Sequence, residues 1–407
     1  MFCRVLVQLI ALSLWSLPFG PLPALAEPLE LIIDADYSKN PASSQSIELG
    51  VRTALEEVDY MLGDLPVVVV PKDHRGNLKR SARTFQEFSE NPSGLAVIGG
   101  LHSPPYLAEQ DFINSNGLLT LLTWSAAGPI TRSKAGMENW FFRLSVDDSR
   151  SGGFLVDAAV SEGHCSKIGL LLLDTTWGQA NRDPLTRALE AWSMTPAFIE
   201  FIPSTIGDAR ASALAESIAR TSPDCLIMLA NWDSGAVVIN ALHHVLPEVR
   251  IFSHWGIMGG GFADLVNDEV RTAHQLSVLQ TCGLARERAG SAILAAALER
   301  AQPNSPQLSA VAAPTGFVHG YDLTRLLIAA AKQAATTSAW QGDIASKRRA
   351  IKTALETLRT PVDGILKTYS APFSAYTPNR PNAHEALGPS DLCLARFSKE
   401  GVLKDYN

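Results

Sequence analysis

Polar and aromatic side chains follow two short apolar runs in the stretch Leu95–Thr131. His102 and Ser103 come after the run Leu95–Ile98, and Trp124 comes after the next apolar run. An imidazole and a hydroxyl can hydrogen-bond a polar ligand, and an indole offers a flat apolar face with one N–H donor. The order of apolar run, polar turn, helix-length segment and apolar run predicts a strand–helix–strand unit. Because the carboxyl ends of parallel strands face the ligand crevice of an open α/β sheet, we expect these groups to lie side by side there.

A helix is expected to begin directly after Ser103, because Pro104 and Pro105 follow it and proline is tolerated in the first helical turn. The free N–H groups of such a turn can accept an anion. The second loop, Trp124–Gly128, is again small and polar. These two loops are the first candidate for a ligand site.

Three further tryptophans, Trp177, Trp232 and Trp255, also fall at the ends of predicted strands. A tryptophan at a crevice can stack on a ring or hold a cation. The alternative is that these side chains only seal the edges of the fold. We expect at least two of the four strand-end tryptophans in the cleft.

The remaining polar clusters give weaker signals. Arg75 lies in a polar loop after the second predicted strand, where it could meet an anionic ligand group or remain solvated. Asp34 and Asp36 have no third metal ligand nearby, and His243 and His244 face different ways on a predicted helix. No spacing indicates a catalytic nucleophile beside a base. We therefore expect no metal ion, no cofactor and no enzymatic activity.

The composition is that of a globular protein with a large core. The chain has 407 residues, of which 46% are hydrophobic and 18% charged, and its net charge is −7. This length predicts one to three domains. No run of lysine or arginine indicates a nucleic acid or an anionic membrane as a partner.

The N-terminus has the pattern of a secretory signal peptide. One positive charge in Met1–Arg4 precedes the apolar segment Val5–Phe19, and small residues in Ala24–Ala26 precede Glu27. A membrane anchor is the alternative, but the apolar segment is shorter than the roughly 20 residues that span a bilayer. We expect cleavage after Ala26 and a mature protein in the periplasm.

Export would permit disulfide bonds between the four remaining cysteines, which allow three pairings. Cys165 and Cys225 both stand at starts of predicted strands and could be neighbours, which leaves Cys282 and Cys393 as the second pair. The alternative is that all four cysteines are small buried hydrophobic residues.

Strand-length apolar runs alternate with helix-length periodic segments along the chain. The first series of strands is predicted at Leu29–Ile33, Val67–Val70, Leu95–Ile98 and Leu118–Leu122. The second is predicted at Lys167–Leu173, Ala197–Ile202, Cys225–Leu229, Ile251–Ser253 and Leu276–Leu279. The helices Arg286–Ala301, Pro314–Ala335 and Ile344–Leu358 follow. The alternation predicts an α/β fold with two lobes, each a doubly wound parallel sheet, joined by a multi-crossing hinge.

The predicted lobes have the following extents. Residues 1–26 are the signal peptide, 27–143 the first lobe, 144–275 the second lobe, 276–360 a return to the first lobe, and 361–407 hinge strands and the tail of the second lobe. A pair of lobes crossed several times by the chain is typical of hinge closure around a ligand.

Five segments in this order resemble the type I periplasmic solute-binding proteins of ABC transporters, in the leucine/isoleucine/valine-binding group. Leu95–Tyr106 is similar to the IGxxxS loop of that family, and Thr123–Thr131 to its loop S-P-x-A-T-x-P-x-L-T. Asp174–Gly178 stands where the family has a strand followed by Tyr-Gly, and Ala230–Ala241 resembles its Gly-Gly-Tyr-x-x-Glu segment. Gly316–Leu327 resembles the late helix with a Tyr-Asp pair.

The resemblance implies roles for individual residues. Ser103 would bind a ligand carboxylate, and Ser125, Ala126 and Ala127 would line the second loop, where the threonine of the family is missing. In the second lobe, Trp177 would stand for the tyrosine of the family and Asp233 for the acid that takes the ligand ammonium group. Trp255 and His102 are expected in the lining on a different ground, because each follows a predicted strand.

The departures from the family pattern widen the range of ligands. An aromatic or larger ligand becomes reasonable beside an amino acid, because three loops end in tryptophan. The expected function is a monomeric receptor of a small molecule that delivers it to an ABC transporter permease in the inner membrane. The alternative is a sensor subunit that uses the same closure to signal to a membrane protein. An enzyme on a similar fold is the third possibility, since fold alone does not fix function.

Overall fold

The computed structural model describes residues 27–285 and 291–405. The expected signal peptide lies outside the described residues, as does the start of the helix predicted at Arg286–Ala301. No helix in the described ranges has the length and the apolar character needed to cross a membrane.

The first lobe is built around a six-stranded sheet with the order β2-β3-β1-β4-β5-β6. Its strands are β1 (Leu29–Ala35), β2 (Met61–Leu62), β3 (Leu65–Asp73), β4 (Gly94–Gly99), β5 (Thr120–Leu122) and β6 (Phe141–Arg143). The pairs from β3 to β6 are parallel, and the two-residue strand β2 pairs antiparallel with β3. Every residue of β4 is buried, as is typical of a central strand with helices on both faces.

Helices from both ends of the chain cover this sheet. The early ones are α1 (Pro41–Glu56), α2 (Leu78–Glu90), α3 (Pro104–Ala108) and α4 (Gln110–Ser115). The late ones are α12 (Ala292–Ala301), α13 (Pro314–Ala334) and α14 (Ile344–Glu356). The long helix α13 packs on α1, where Gly50 and Gly320 allow close approach: a Cβ atom at Gly50 would lie 2.1 Å from the carbonyl oxygen of Phe317. The late helices therefore pack on the first lobe.

The second lobe is built around a seven-stranded sheet with the order β15-β14-β11-β10-β9-β7-β8. Its strands are β7 (Ile168–Leu173), β8 (Ile199–Ile202), β9 (Cys225–Leu229), β10 (Arg250–Ser253), β11 (Ser277–Thr281), β14 (Leu392–Phe397) and β15 (Leu403–Asp405). Its helices are α5 (Asp148–Ser161), α6 (Thr176–Ala191), α7 (Asp208–Thr221), α8 (Trp232–Val245), α9 (Phe262–Leu265), α10 (Asp268–Ala273) and α11 (Cys282–Ala285). The remaining pair, β12 (Val362–Asp363) and β13 (Thr368–Tyr369), forms a separate ribbon.

The strand β11 belongs to the second lobe, although the predicted extents of the lobes placed it in the first. The sequence placed residues from 276 onward in the return to the first lobe, whereas β11 pairs with β10 and with β14 in the second sheet. The pairing with β14 is antiparallel, so both sheets are mixed at one edge rather than wholly parallel. A single apolar run does not reveal which neighbour a strand will pair with, and this explains the difference.

Two of the segments that cross between the lobes are joined by a buried ion pair. Arg143 ends β6 in the first lobe, just before the chain enters the second lobe at α5. Its Nη2 atom lies 2.7 Å from Oε1 of Glu385, which belongs to the last crossing, and both side chains are buried. Burial raises the pKa of Glu385, although Arg143 opposes this rise. Burial alone would raise the pKa of Asp147, but the positive charges of Arg143 and Arg132 bring this pKa below its usual value.

Two disulfides tie the second lobe together. Cys165 bonds to Cys225 at the start of β9, and Cys282 bonds to Cys393 in β14. The sequence suggested these two pairs, with four unpaired buried cysteines as the alternative. The second disulfide holds α11 against the antiparallel edge of the sheet.

Candidate functional site

A cleft between the lobes contains most of the residues that the sequence singled out. Its empty space amounts to roughly 950 Å³, counted together with the solvent at its mouth. The first lobe contributes His102, Ser103, Trp124 and Ala126 to the lining, and the second lobe contributes Trp177, Asp233 and Trp255. Both sets stand at or just after the carboxyl ends of strands, which is where the parallel sheet brings loops together.

Three predicted residues do not line the cleft. The hydroxyl of Ser125 is fully buried and donates to the carbonyl oxygens of Gly100 and His102, so it closes the loop on itself. The backbone N–H of Ala127 donates to Oγ of Ser103 at 3.1 Å. Arg75 is exposed and pairs with Asp73 in its own loop, with 3.3 Å between Nε and Oδ2.

A polar cluster at the start of α1 forms part of the first-lobe wall. Asn40 donates from Nδ2 to Oδ2 of Asp36 at 3.0 Å and contacts Nε2 of His102 at 3.1 Å. His102 itself lies 3.4 Å from the same carboxylate oxygen. Burial of Asp36 acts to raise its pKa, but hydrogen bonds from His102, Lys39 and Asn40 lower it far below the usual value. Asp36 is therefore a charged group held in a fixed orientation at the edge of the cleft.

Ser103 keeps one donor for a ligand. Its oxygen accepts the N–H of Ala127, and its hydroxyl hydrogen is not used in that bond. The residue stands at the N-cap of α3, and Pro105 and Tyr106 fix the helix behind it by burial. The Tyr106 hydroxyl donates to the carbonyl of Asp34 and accepts from Gly100 N, which positions the whole loop.

The second-lobe wall begins with Trp177 in the first turn of α6. The sequence placed this residue at the end of a strand. In the structure, Thr175 caps the helix through its side chain, and Trp177 is the second helical residue. Gly178 is required next to it, because a Cβ atom there would lie 1.9 Å from the carbonyl oxygen of Leu173. The helix therefore begins tightly against the end of β7 and directs the indole toward the cleft.

Asp148 lies behind this wall and holds its side chains in position. This residue was not predicted from the sequence. One of its oxygens, Oδ2, accepts from Nε1 of Trp177 at 2.6 Å and from Nδ2 of Asn181 at 2.7 Å. The other, Oδ1, lies 2.8 Å from Nε2 of His254, out of line for a hydrogen bond. His254 lines the cleft and meets Trp177 edge to face, with 5.4 Å between ring centroids. The doublet Asp147-Asp148 before a helix was the only available signal, and it reads equally well as a cap.

Asp233 and Trp232 begin α8 at the end of β9. Oδ1 of Asp233 accepts the N–H of Ser234, and the side chain is exposed at the cleft. Trp232 packs on the backbone of Gly260, where a Cβ atom would lie 2.6 Å from its Cε2 atom. Both residues thus lie in the first turn of a helix, directly after the strand end at which the sequence placed Trp232.

Contacts across the mouth and the back of the cleft join the two lobes. Trp232 donates from Nε1 to Oδ1 of Asn40 at 3.1 Å. Leu101 of the first lobe touches Gly259 of the second so closely that a Cβ atom there would lie 2.8 Å from Leu101 Cδ2. At the back, the ring of Trp255 meets that of His319 on α13 at 5.4 Å. The structure is therefore a form in which the lobes touch.

Trp124 and Trp255 line the back of the cleft although little of either side chain is exposed. Within the described residues, Nε1 of Trp124 has no hydrogen-bond partner. An unpaired buried N–H is costly, so a ligand acceptor near this atom would stabilise the closed form.

Asp34 and Asp36 do not share a ligand, because they face different partners. Asp34 is fully buried and accepts from the hydroxyl of Ser81, and burial raises its pKa to about 7. In the ranges that the structure describes, one group of three metal-ligand side chains lies close together, Cys165, Asp224 and Cys225, and its two sulfur atoms form the disulfide. The expectation of a site without metal stays a prediction.

A second cavity lies between the loop after β10, the segment before α13 and the hairpin of β14 and β15. It has about 1050 Å³ of empty space and holds none of the predicted site residues. Asp264 and Glu400 stand at its edge as exposed carboxylates.

The chain is similar in sequence to one known protein family. The family described as "Periplasmic binding protein" matches residues 33–384 of the chain. No curated protein sequence gives a significant match.

Solved structures share the fold across nearly the whole chain. A leucine binding protein from Thermotoga maritima superposes with a TM-score of 0.72 at 14% identity, covering 93% of this chain and 98% of that one. A branched-chain amino acid transporter substrate binding protein from Streptococcus pneumoniae, in complex with isoleucine, gives 0.70 at 14% identity and covers 93% and 98%. An ABC transporter solute binding protein from R. palustris, in complex with benzoate, gives 0.70 at 15% identity and covers 94% and 96%. At these identities the likeness establishes the fold.

Proposed function

Because the chain belongs to the periplasmic binding protein family, we propose that it is the solute receptor of an ABC importer. It closes its two lobes over a small polar, amino-acid-like or aromatic molecule. The observation that carries this proposal is the shared cleft: strand-end residues from both sheets line one space, with Ser103 and Trp124 from the first lobe and Trp177 and Asp233 from the second.

The binding cycle follows from the arrangement of the walls. A ligand that reaches the open protein meets one wall first, and closure adds the contacts of the other wall. The closed form is favoured by the contacts that exist only there, which include the bond from Trp232 to Asn40 and the contacts to the ligand. The crossing segments, joined by Arg143 and Glu385, act as the hinge.

The proposed roles of individual residues rest on their free hydrogen-bonding groups. Ser103 donates its hydroxyl hydrogen to a ligand oxygen, and Trp124 donates its unpaired indole N–H. Trp177 presents an apolar face for a ring, and Asp233 accepts from a donor group of the ligand. No bond of the ligand is broken in this cycle, so the protein acts as a receptor and not as an enzyme.

The partners and the location belong to the same proposal. The closed receptor is a monomer in the periplasm that docks on an ABC permease in the inner membrane and releases the ligand there. Residues 1–26 direct it there and are removed after Ala26. The relatives bound to isoleucine and to benzoate support a ligand of this size.

A thermal-shift screen of the purified protein tests the proposal. The library holds amino acids, aromatic acids, amides, amines, polyamines and sugars. A compound that binds only the folded protein raises the melting temperature by mass action. A hit that also reduces the radius of gyration in small-angle X-ray scattering supports a closing receptor. A hit that is chemically converted during incubation would contradict it and favour an enzyme, and a library without any hit would contradict a small-molecule receptor and favour a sensor that binds a protein.

A further inference from the structure

We propose that the cleft selects an aromatic cation that carries no carboxylate, such as an arylalkylammonium ion. This inference rests on the proposed receptor function and names the chemical class of its ligand. Three features carry it: the charge balance of the lining, the internal use of the donors that would hold a carboxylate, and the electronic state of the indole of Trp177.

The charge balance of the lining does not favour an anion. Among the described residues, Lys39 is the one lysine or arginine that lines the cleft. Each lining histidine faces its own carboxylate, His102 toward Asp36 and His254 toward Asp148. The carboxylates of Asp36, Asp148 and Asp233 therefore stand at or directly behind the lining against the ammonium group of Lys39. This balance favours a positive ligand over an anion.

The donors that a carboxylate needs are occupied within the first lobe. The hydroxyl of Ser125 donates to the carbonyl oxygens of Gly100 and His102, and the N–H of Ala127 donates to Ser103. In the first-lobe loops, the hydroxyl hydrogen of Ser103 and the buried indole N–H of Trp124 are left. A buried carboxylate is stabilised by several hydrogen bonds or a cation, and one hydroxyl with one indole N–H is a weak replacement. This loop suits a ligand without a carboxylate.

Trp177 provides a face suited to a cation. Its indole N–H donates to the buried carboxylate of Asp148 at 2.6 Å, and a hydrogen bond to an anion is short and strong. This bond shifts electron density into the indole ring and places a negative charge behind it. Both effects strengthen the attraction of a cation to the ring face, which is strongest for tryptophan among the aromatic side chains.

Asp233 supplies the direct ionic contact. Its Oδ1 atom accepts the N–H of Ser234, which fixes the carboxylate at the first turn of α8 and leaves Oδ2 for the ligand. The tryptophans Trp124 and Trp255 give the apolar remainder of the cleft, into which an aromatic ring fits.

Four matched probes separate the possible ligand charges: phenethylamine, phenethyl alcohol, phenylacetate and phenylalanine. They share one ring and differ in the head group, which is a cation, a neutral hydroxyl, an anion or a zwitterion. Isothermal titration near neutral pH should give phenethylamine the highest affinity, about tenfold above the alcohol, with phenylacetate and phenylalanine weaker than the amine.

Charge-removing variants locate the effect. Asp233→Asn keeps the shape of the side chain and should lower the affinity for phenethylamine about tenfold, and it should lower that for phenethyl alcohol much less, because the alcohol carries no charge. Asp264→Asn is the matched control, because it removes an exposed carboxylate of the same lobe that does not line the cleft.

The outcomes separate this proposal from the receptor function. Tighter binding of phenylacetate or phenylalanine than of phenethylamine would overturn the ligand class, as would an equal amine affinity in wild type and Asp233→Asn. If none of the four probes binds, the ligand class is also overturned. In each of these cases a different library compound that compacts the protein would leave the receptor function standing, whereas a library without any hit would contradict both.

Discussion

The indole N–H of Trp232 donates to Oδ1 of Asn40 at 3.1 Å, and this bond joins the two lobes across the mouth of the cleft. Asn40 is in turn bonded to Asp36, so the closing contact ends on a charged group of the first lobe. The bond can form only when the lobes approach each other. It is therefore a contact by which closure is stabilised whether or not a ligand is present.

Trp232→Phe should shift the unliganded protein toward the open form. The variant keeps a ring on Gly260 but loses the bond to Asn40, which is worth about 0.5–1.5 kcal/mol, or a factor of roughly 2 to 10 in the closed population. Small-angle scattering should show a larger radius of gyration. Trp340→Phe is the matched control, since Trp340 donates to Asp64 within the first lobe. An equal radius of gyration for wild type and Trp232→Phe would show that the bond from Trp232 to Asn40 does not stabilise closure.

Glu385→Gln should destabilise the protein by about 3 kcal/mol, because it leaves Arg143 buried without its main counter-charge. Urea unfolding followed by circular dichroism measures the change. In the control Glu138→Gln, the exposed pair with Arg349 is lost, and the cost should stay below about 1 kcal/mol. Similar losses of unfolding free energy in the two variants would show that the buried ion pair stabilises the protein no more than an exposed one does.

Asp34→Asn should remove part of the pH dependence of stability. Burial raises the pKa of Asp34 to about 7, so between the unfolded value and this one the folded chain keeps a proton that the unfolded chain releases. The contribution of Asp34 to stability is therefore complete below about pH 4 and is lost as the pH rises toward 7. Relative to wild type, the melting temperature of Asp34→Asn should rise between these pH values.

The control for this prediction is Asp73→Asn. Hydrogen bonds from Ser38 and from the N–H groups of Arg75 and Tyr37 outweigh the upward effect of burial and lower the pKa of Asp73. Its contribution is present above the unfolded pKa and is lost only in more acidic solution. The melting temperature of Asp73→Asn relative to wild type should therefore be constant between about pH 5 and 8. A constant difference for Asp34→Asn as well would refute the assignment of the buried proton.

The disulfide between Cys165 and Cys225 should contribute about 2–4 kcal/mol to stability. The double variant Cys165→Ala/Cys225→Ala measures this by urea unfolding, and a reducing agent should lower the stability of wild type further because it opens both bonds. Thiol titration of the denatured, unreduced protein is the independent check. Reaction of Cys165, Cys225, Cys282 or Cys393 in that state would contradict the pairing.

Prediction from the sequence succeeded where one strand determines the local structure. A short apolar run such as Leu95–Ile98, bounded by glycines and a polar turn, favours a buried strand, and the residues after such a strand lie at the edge of the sheet. This is why His102, Ser103 and Trp177 could be placed at a cleft. The boundaries were less accurate, because the first turn of a helix and a loop have the same composition: Trp177 and Asp233 lie in helices, not in loops.

Contacts between distant segments could not be predicted in this way. Asp148 meets Trp177 and His254, and Arg143 meets Glu385, through the folding of separate parts of the chain. No periodicity within one segment encodes such a pair. The pairing of β11 with β14 has the same origin, since the partner strand lies more than a hundred residues later.

The most direct test of the account measures ligand affinity in two tryptophan variants of one helix. Trp177 at the start of α6 lines the cleft and donates to Asp148, whereas Trp192 at its end is exposed and donates to Asp157. Isothermal titration uses the most tightly bound compound of the thermal-shift library. Trp177→Phe should weaken its binding about tenfold or more, and Trp192→Phe should leave it unchanged. Equal affinity in both variants and wild type would show that the ligand does not bind between the lobes at Trp177.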